Sequence, residues 1–114
     1  MNDYKFRVKF LEEAKEFIDK LDEKTREKIF YNIWKARTTN DKELFKKLQD
    51  EIWEFRTLYN KTYYRLFAFW DKLEKTDTVV ISTHGFIKKT DKTPKSDIDK
   101  AKRLQEQYFK EKEK

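Results

Sequence analysis

Cysteine is absent, histidine, glycine and proline occur once each, and no apolar run exceeds five residues. Without cysteine there is no disulfide framework, thiolate metal site, iron–sulfur cluster or cysteine nucleophile. A single histidine, His84, rules out an HExxH pair and any mechanism that shares acid and base between two imidazoles. A single glycine, Gly85, rules out a glycine-rich phosphate loop, and with one proline, Pro94, it also rules out low-complexity linkers and collagen-like repeats. The longest apolar run, Leu66-Phe67-Ala68-Phe69-Trp70, is far too short to cross a bilayer as a helix. Met1-Asn2-Asp3-Tyr4-Lys5 lacks the apolar stretch of a signal peptide. These absences lead us to expect a soluble cytoplasmic protein.

The 114 residues suffice for one domain spanning 1–114, with a charged, frayed tail expected over 110–114. Hydrophobic residues make up 37% and charged residues 44%, and ten Phe, six Tyr and three Trp supply the bulk that a thin aliphatic core would lack. The net charge is +6, unevenly distributed. Residues 1–57 carry 14 basic and 13 acidic side chains, a net of +1, and residues 58–114 carry 14 and 9, a net of +5. A polyanionic partner is therefore expected to meet the second half.

Residues 4–10 alternate apolar and basic side chains, which predicts a half-buried strand. Leu11, Ala14, Phe17, Ile18 and Leu21 recur at helical spacing. Asp22 reads as the N-cap of a second helix with Ile29, Phe30, Ile33 and Trp34 on its apolar stripe, so the two helices form an antiparallel hairpin. Leu44, Phe45 and Leu48 suggest a helical turn or a packed loop. From Ile52 the period switches to two. Runs at 52–59, 62–70 and 78–86, joined by Asn60-Lys61 and a polar loop over 71–77, predict a three-stranded antiparallel meander. After Pro94, Ile98, Ala101, Leu104 and Tyr108 predict a final helix. The expected fold is α+β, with helices on an antiparallel sheet that also recruits the first strand. Trp53, Phe55, Phe67, Phe69, Val79 and Ile81 are its expected core.

The strands carry unusual charges. Arg56 and Arg65 sit inside apolar runs, where a guanidinium needs a carboxylate, a carbonyl or an external anion. A two-residue turn at Asn60-Lys61 pairs Arg56 with Arg65 across the ladder. Glu54, two residues before Arg56 on the same face, is a structural partner for one of them. The last strand runs out through His84 into Lys88, Lys89, Lys92 and Lys95, cations that can converge with the arginines on a phosphate. The best carboxylate set for a metal is Asp91, Asp97 and Asp99, but Asp97 and Asp99 open a helix, where acids are ordinary dipole partners. We therefore expect no metal and no cofactor.

Trp53-Glu54-Phe55-Arg56, Tyr64-Arg65, His84-Gly85-Phe86-Ile87-Lys88-Lys89 and Lys92-Thr93-Pro94, in that order before a final helix, resemble the RelE/ParE superfamily of bacterial toxins. Within it they are most similar to the HigB-like, phage-derived branch. Phe55 stands where that branch often has Leu, and the polar loop over 71–77 is long, but neither departure touches the basic residues. The resemblance implies an endoribonuclease that cleaves mRNA on the ribosome without metal, by attack of a 2′-hydroxyl on the adjacent phosphate. It also implies a cognate antitoxin and a toxin–antitoxin hetero-oligomer. Carried onto this sequence, Arg56 and Arg65 become phosphate and transition-state stabilisers, and Lys88 and Lys89 become base and RNA clamp. His84 becomes an acid or base, and Lys92 and Lys95 contact RNA. Two alternatives come with the resemblance: a ParE-like protein that inhibits gyrase by binding it, and an inactive RNA- or antitoxin-binding relative.

Overall fold

The computed structural model describes residues 5–72, 79–88 and 94–113. In chain order these form β1 (Arg7–Phe10), α1 (Glu12–Asp19), α2 (Glu23–Thr38), β2 (Phe45–Gln49), β3 (Ile52–Tyr59), β4 (Thr62–Asp71), β5 (Val79–Lys88) and α3 (Lys95–Lys112). The α+β expectation holds. The sheet, however, is five-stranded and mixed, in the order β1-β5-β4-β3-β2. β1 pairs parallel to β5, and the other neighbours are antiparallel.

The main correction is β2. Phe45 and Leu48, three residues apart, read as a helical turn because i, i+3 spacing matches a helix face. In a strand that spacing sends the two side chains to opposite faces. Each enters a different core here: Phe45 joins the cluster under α1 and α2, and Leu48 the cluster under α3. The β2–β3 turn is Asp50-Glu51, with φ of 49° and 70°, and the β3–β4 turn is Asn60-Lys61, with φ of 51° and 62°. Both have the paired positive φ of a type I′ hairpin, and each opens on a residue, Asp50 or Asn60, whose short polar side chain tolerates that region.

Two further boundaries differ. The first strand is shorter than 4–10, with Tyr4 outside the described residues. The segment expected to fray, 110–114, continues α3 through Lys112, whose ammonium pairs with the fully buried Asp71.

The sheet separates two cores. On one side Phe55, Leu66, Ala68 and Val80 pack with Ala14 and Ile18 of α1 and with Ile29, Ile33 and Ala36 of α2. On the other, Ile52, Phe67, Phe69, Val79 and Ile81 pack with Ile98 and Ala101 of α3. Of the expected core residues, Phe55, Phe67, Phe69, Val79 and Ile81 are buried and Trp53 is half-buried. α1 closes on β5 at Gly85. A Cβ there would lie 2.5 Å from Phe17 Cδ2 and 2.8 Å from Leu66 Cδ2, so glycine is what permits the approach.

Candidate active site

β3 and β4 pair with Arg56 opposite Arg65, the register that the Asn60-Lys61 turn dictates. Residues of one parity on each strand share a face. Glu54 and Arg56 of β3 therefore lie on the same side as Tyr63, Arg65, Phe67 and Phe69 of β4. This is the side of α3, which covers Phe67 and Phe69.

Glu54 sits among the cations. It is 2% exposed and Arg65 is 3% exposed. Glu54 Oε1 lies 3.1 Å from Arg65 Nε, and Oε2 lies 4.0 Å from Arg56 Nε. The sequence suggested that the carboxylate serves one arginine; it stands between both. Proximity is not matched by hydrogen-bond geometry, because Glu54 Oε1, Arg56 Nε and Arg65 Nε are all buried without a hydrogen-bond partner among the described residues. Arg65 Nη1 donates to the Tyr64 carbonyl at 3.2 Å, and the guanidinium lies 5.3 Å from the Tyr63 ring centroid. Unfilled donors beside a buried carboxylate make a site that is charge-paired without being fully hydrogen-bonded.

Two lysines complete it. Lys46 of β2 is the ladder partner of Glu54, and Lys88 at the end of β5 is the ladder partner of Tyr63. Burial pushes the Glu54 carboxyl above its ordinary range, while Arg65, Lys88, Arg56 and Lys46 oppose the rise. Burial likewise lowers Arg65, with Glu54 opposing. Arginine does not lose its proton in proteins, so the guanidinium stays cationic. One carboxylate thus faces four cations.

The structure brings Arg56, Arg65 and Lys88 together but not His84. β5 carries a bulge here: Ala68 pairs with Ser82 and Leu66 with Gly85, leaving Thr83 and His84 opposite Phe67. His84 is 4% exposed. Its Nδ1 lies 3.1 Å from Thr83 Oγ1, its Nε2 lies 3.4 Å from Asp97 Oδ1 at the start of α3, and its ring lies 4.9 Å from that of Phe67. Burial and the Lys100 charge push the imidazole pKa down, against the pull of Asp97 and Glu13. His84 is therefore a largely enclosed group bonded to Thr83 and Asp97. Lys95 opens α3 as an exposed residue. Lys89 and Lys92, like Asp91, lie outside the described residues. Of the expected carboxylate set, Asp97 is engaged by His84. Among the described residues no three metal-ligating side chains converge, and no helix is long and apolar enough to cross a membrane.

The sequence does not reveal Lys46, because the Phe45 and Leu48 spacing in the strand that places it matches a helical turn. It gave Glu54 only a structural role. The signal for more was its position two residues before Arg56 and diagonal to Arg65.

Residues 16–106 match the family model described as phage derived protein Gp49-like (DUF891), a family associated with RelE-like toxins. No curated protein matches the chain significantly.

Proposed function

Because the chain belongs to the Gp49-like family of phage-derived proteins, we propose that it is the toxin of a type II toxin–antitoxin pair, acting as a metal-independent endoribonuclease on mRNA at the ribosome. The observation that carries this reading is Glu54: a buried carboxyl with a raised pKa, within 4.0 Å of two guanidiniums that hold unfilled donors. A carboxylate held above its ordinary range is a stronger base. Guanidiniums placed around it suit the charge that develops on a phosphorane.

In this mechanism Glu54 accepts the proton of a ribose 2′-hydroxyl. The 2′-oxygen bonds to the adjacent phosphorus, and the bond from phosphorus to the 5′-oxygen breaks. Arg65 and Arg56 hold the non-bridging oxygens, and Lys88 donates a proton to the leaving 5′-oxygen. The products are a 2′,3′-cyclic phosphate and a 5′-hydroxyl. Tyr63, 47% exposed beside Arg65, offers a ring for a flanking base. Lys46 and Lys95 contact the RNA backbone. His84 holds α3 against the sheet and takes no proton. A cognate antitoxin restrains the activity.

The test is induced expression followed by mapping of mRNA 5′ ends. New 5′-hydroxyl ends and arrested translation are expected. Arg56→Ala and Glu54→Gln should each lower cleavage by a purified, folded protein by about 10²–10³-fold. Intact mRNA with a raised DNA-damage response would point to the gyrase-binding alternative.

A further inference from the structure

The outward side of α2 carries Phe30, Tyr31 and Trp34, exposed by 46%, 52% and 46%. The inward side of the same helix is Ile29, Asn32, Ile33 and Ala36. The rings are ordered among themselves: Tyr31 and Trp34 have centroids 6.0 Å apart, and Phe30 meets Phe10 of β1 edge-on at 6.0 Å. Beyond Phe30 the surface drops into a cavity of about 560 Å³ between β1 and α1. Val8, Phe10, Ile18 and Phe30 form its apolar wall, and Lys9, Lys15 and Asp19 complete its lining.

Charge frames the aromatic stripe. Lys24, Lys28 and Lys35 fall on one flank of α2 by helical spacing, and Lys28 Nζ lies 5.4 Å from the Tyr31 ring centroid. Lys9 and Lys15 stand on the other flank at the cavity. Glu23, Glu27 and Asp19 are interspersed, leaving lysine in excess.

We propose that this face binds an amphipathic α-helix of a partner protein. An apolar ridge of that helix lies along Phe30, Tyr31 and Trp34 and places one side chain in the cavity. Acidic residues on its two flanks face Lys24, Lys28 and Lys35 on one side and Lys9 and Lys15 on the other. Apolar anchors at helical spacing with charged borders are the signature of helix-on-groove recognition. Single-stranded RNA fits less well, because the rings meet edge-on or tilted rather than offering parallel faces for successive bases. A second copy fits less well because it brings together lysine-bordered faces of a +6 chain. The docking face lies on the α1–α2 side of the sheet, whereas Glu54 and Arg65 lie on the α3 side. The proposal therefore stands whatever reaction the cationic site performs.

The test uses the full chain in about 0.15 M salt, where the Debye length is about 8 Å. Two labelled helical peptides of about 18 residues share a leucine face and differ only in a polar face of Glu or of Lys; a short single-stranded RNA is the third probe. Fluorescence anisotropy should show the Leu/Glu peptide binding at least about tenfold tighter than the Leu/Lys peptide. Phe30→Ser/Tyr31→Ser should weaken it by about tenfold or more, and Arg56→Ala should leave it unchanged. Lys28→Glu/Lys35→Glu, which spares every apolar contact, should shift preference toward the Leu/Lys peptide. Equal affinity for both peptides, failure of the Leu/Glu peptide to bind, or loss of binding in Arg56→Ala but not in the α2 variants would overturn the proposal. So would RNA binding that depends on Phe30 and Tyr31 in place of peptide binding, or a dimer in sedimentation that Tyr31→Ser dissociates.

Discussion

Arg56 and Arg65 stand directly opposite each other across the β3–β4 ladder, and the carboxylate of Glu54 lies within 4.0 Å of a nitrogen of each. Like charges directly opposite destabilise a sheet. Here one shared anion offsets the repulsion, and the two arginines differ in burial: the Arg65 side chain is 4% exposed and that of Arg56 is 26% exposed.

That difference predicts unequal stability effects. Arg65→Ala leaves a buried carboxylate without its nearest cation and should cost about 3–5 kcal/mol. Arg56→Ala removes a partly solvated group at the longer distance and should cost about 1 kcal/mol or less. Glu54→Leu/Arg65→Met, which removes both buried charges, should recover most of the Arg65→Ala loss. Urea unfolding of the purified proteins measures all three. An Arg65→Ala protein as stable as wild type would refute the shared-anion account. Arg56→Ala is accordingly the cleaner variant for chemistry, and Arg65→Ala is a test of folding first.

His84 predicts a pH dependence. Its folded pKa lies below the ordinary 6.5, with burial the largest cause. Between the folded value and 6.5 the unfolded chain holds a proton that the folded chain does not. Stability is therefore fully present above 6.5 and is lost as pH falls toward the folded pKa. Glu54 acts in the opposite sense. Its folded pKa is raised above 4.5, so its contribution is present below 4.5 and is lost as pH rises through the folded value. The unfolding free energy of wild type minus that of His84→Gln should therefore shrink on acidification below 6.5. The same difference taken with Glu54→Gln should grow on acidification toward 4.5. A His84 difference that is flat across this range would show that the imidazole is not buried neutral.

The sequence made the Arg56–Arg65 register readable because a two-residue turn leaves only one pairing. It also made the β3 and β4 faces readable, because alternation assigns every second side chain to the same side. It did not reveal β2. An edge strand that feeds two cores puts Phe45 and Leu48 on opposite faces, and no single-face periodicity exists to find. Lys46 was lost with it. The surroundings of His84 are not legible for a different reason: the bulge opposite Phe67 breaks the alternation at that point, and the position of Asp97 depends on how α3 docks, which no local pattern encodes.

Gly85 predicts a steric effect free of backbone strain, since its φ is not positive. An alanine methyl would press on Phe17 at 2.5 Å and 2.8 Å and on Leu66 at 2.8 Å. The ring of Phe17 or the α1–β5 spacing must give way, and Gly85→Ala should cost about 1–3 kcal/mol. The clash is specific to one ring, so the cost should be smaller in a Phe17→Ala background, measured as non-additivity in a double-mutant cycle. Strict additivity of the two changes would mean that α1 shifts as a body and Phe17 is not the obstacle.

At the other end of the α3-covered face, Asp71 is fully buried, and Tyr108 and Lys112 of α3 both reach it, Tyr108 through a hydroxyl that donates at 2.7 Å. Burial, with the Asp71 bond and charge adding to it, pushes the Tyr108 phenol up to about 12. In the unfolded chain the phenol titrates near 10.0. The folded chain therefore keeps a proton that the unfolded chain gives up, and this contribution is fully present below pH 10 and is lost as pH rises through about 12. Tyr108→Phe keeps the ring packed against Phe69 and Phe109 but deletes the donor, so it should cost about 1.5–3 kcal/mol, the range for a hydrogen bond to a charged group. Because Lys112 reaches the same carboxylate from one turn further along α3, the loss should appear first as faster amide hydrogen exchange over the last turns of α3, with the Ile98–Ala101 segment still protected. Spectrophotometric titration should show a late-ionising component in wild type that Tyr108→Phe loses. If the variant shows unchanged exchange in those turns, the α3 terminus is held by the packing of Tyr108 and Phe109 alone, and the Asp71 clamp contributes nothing to it.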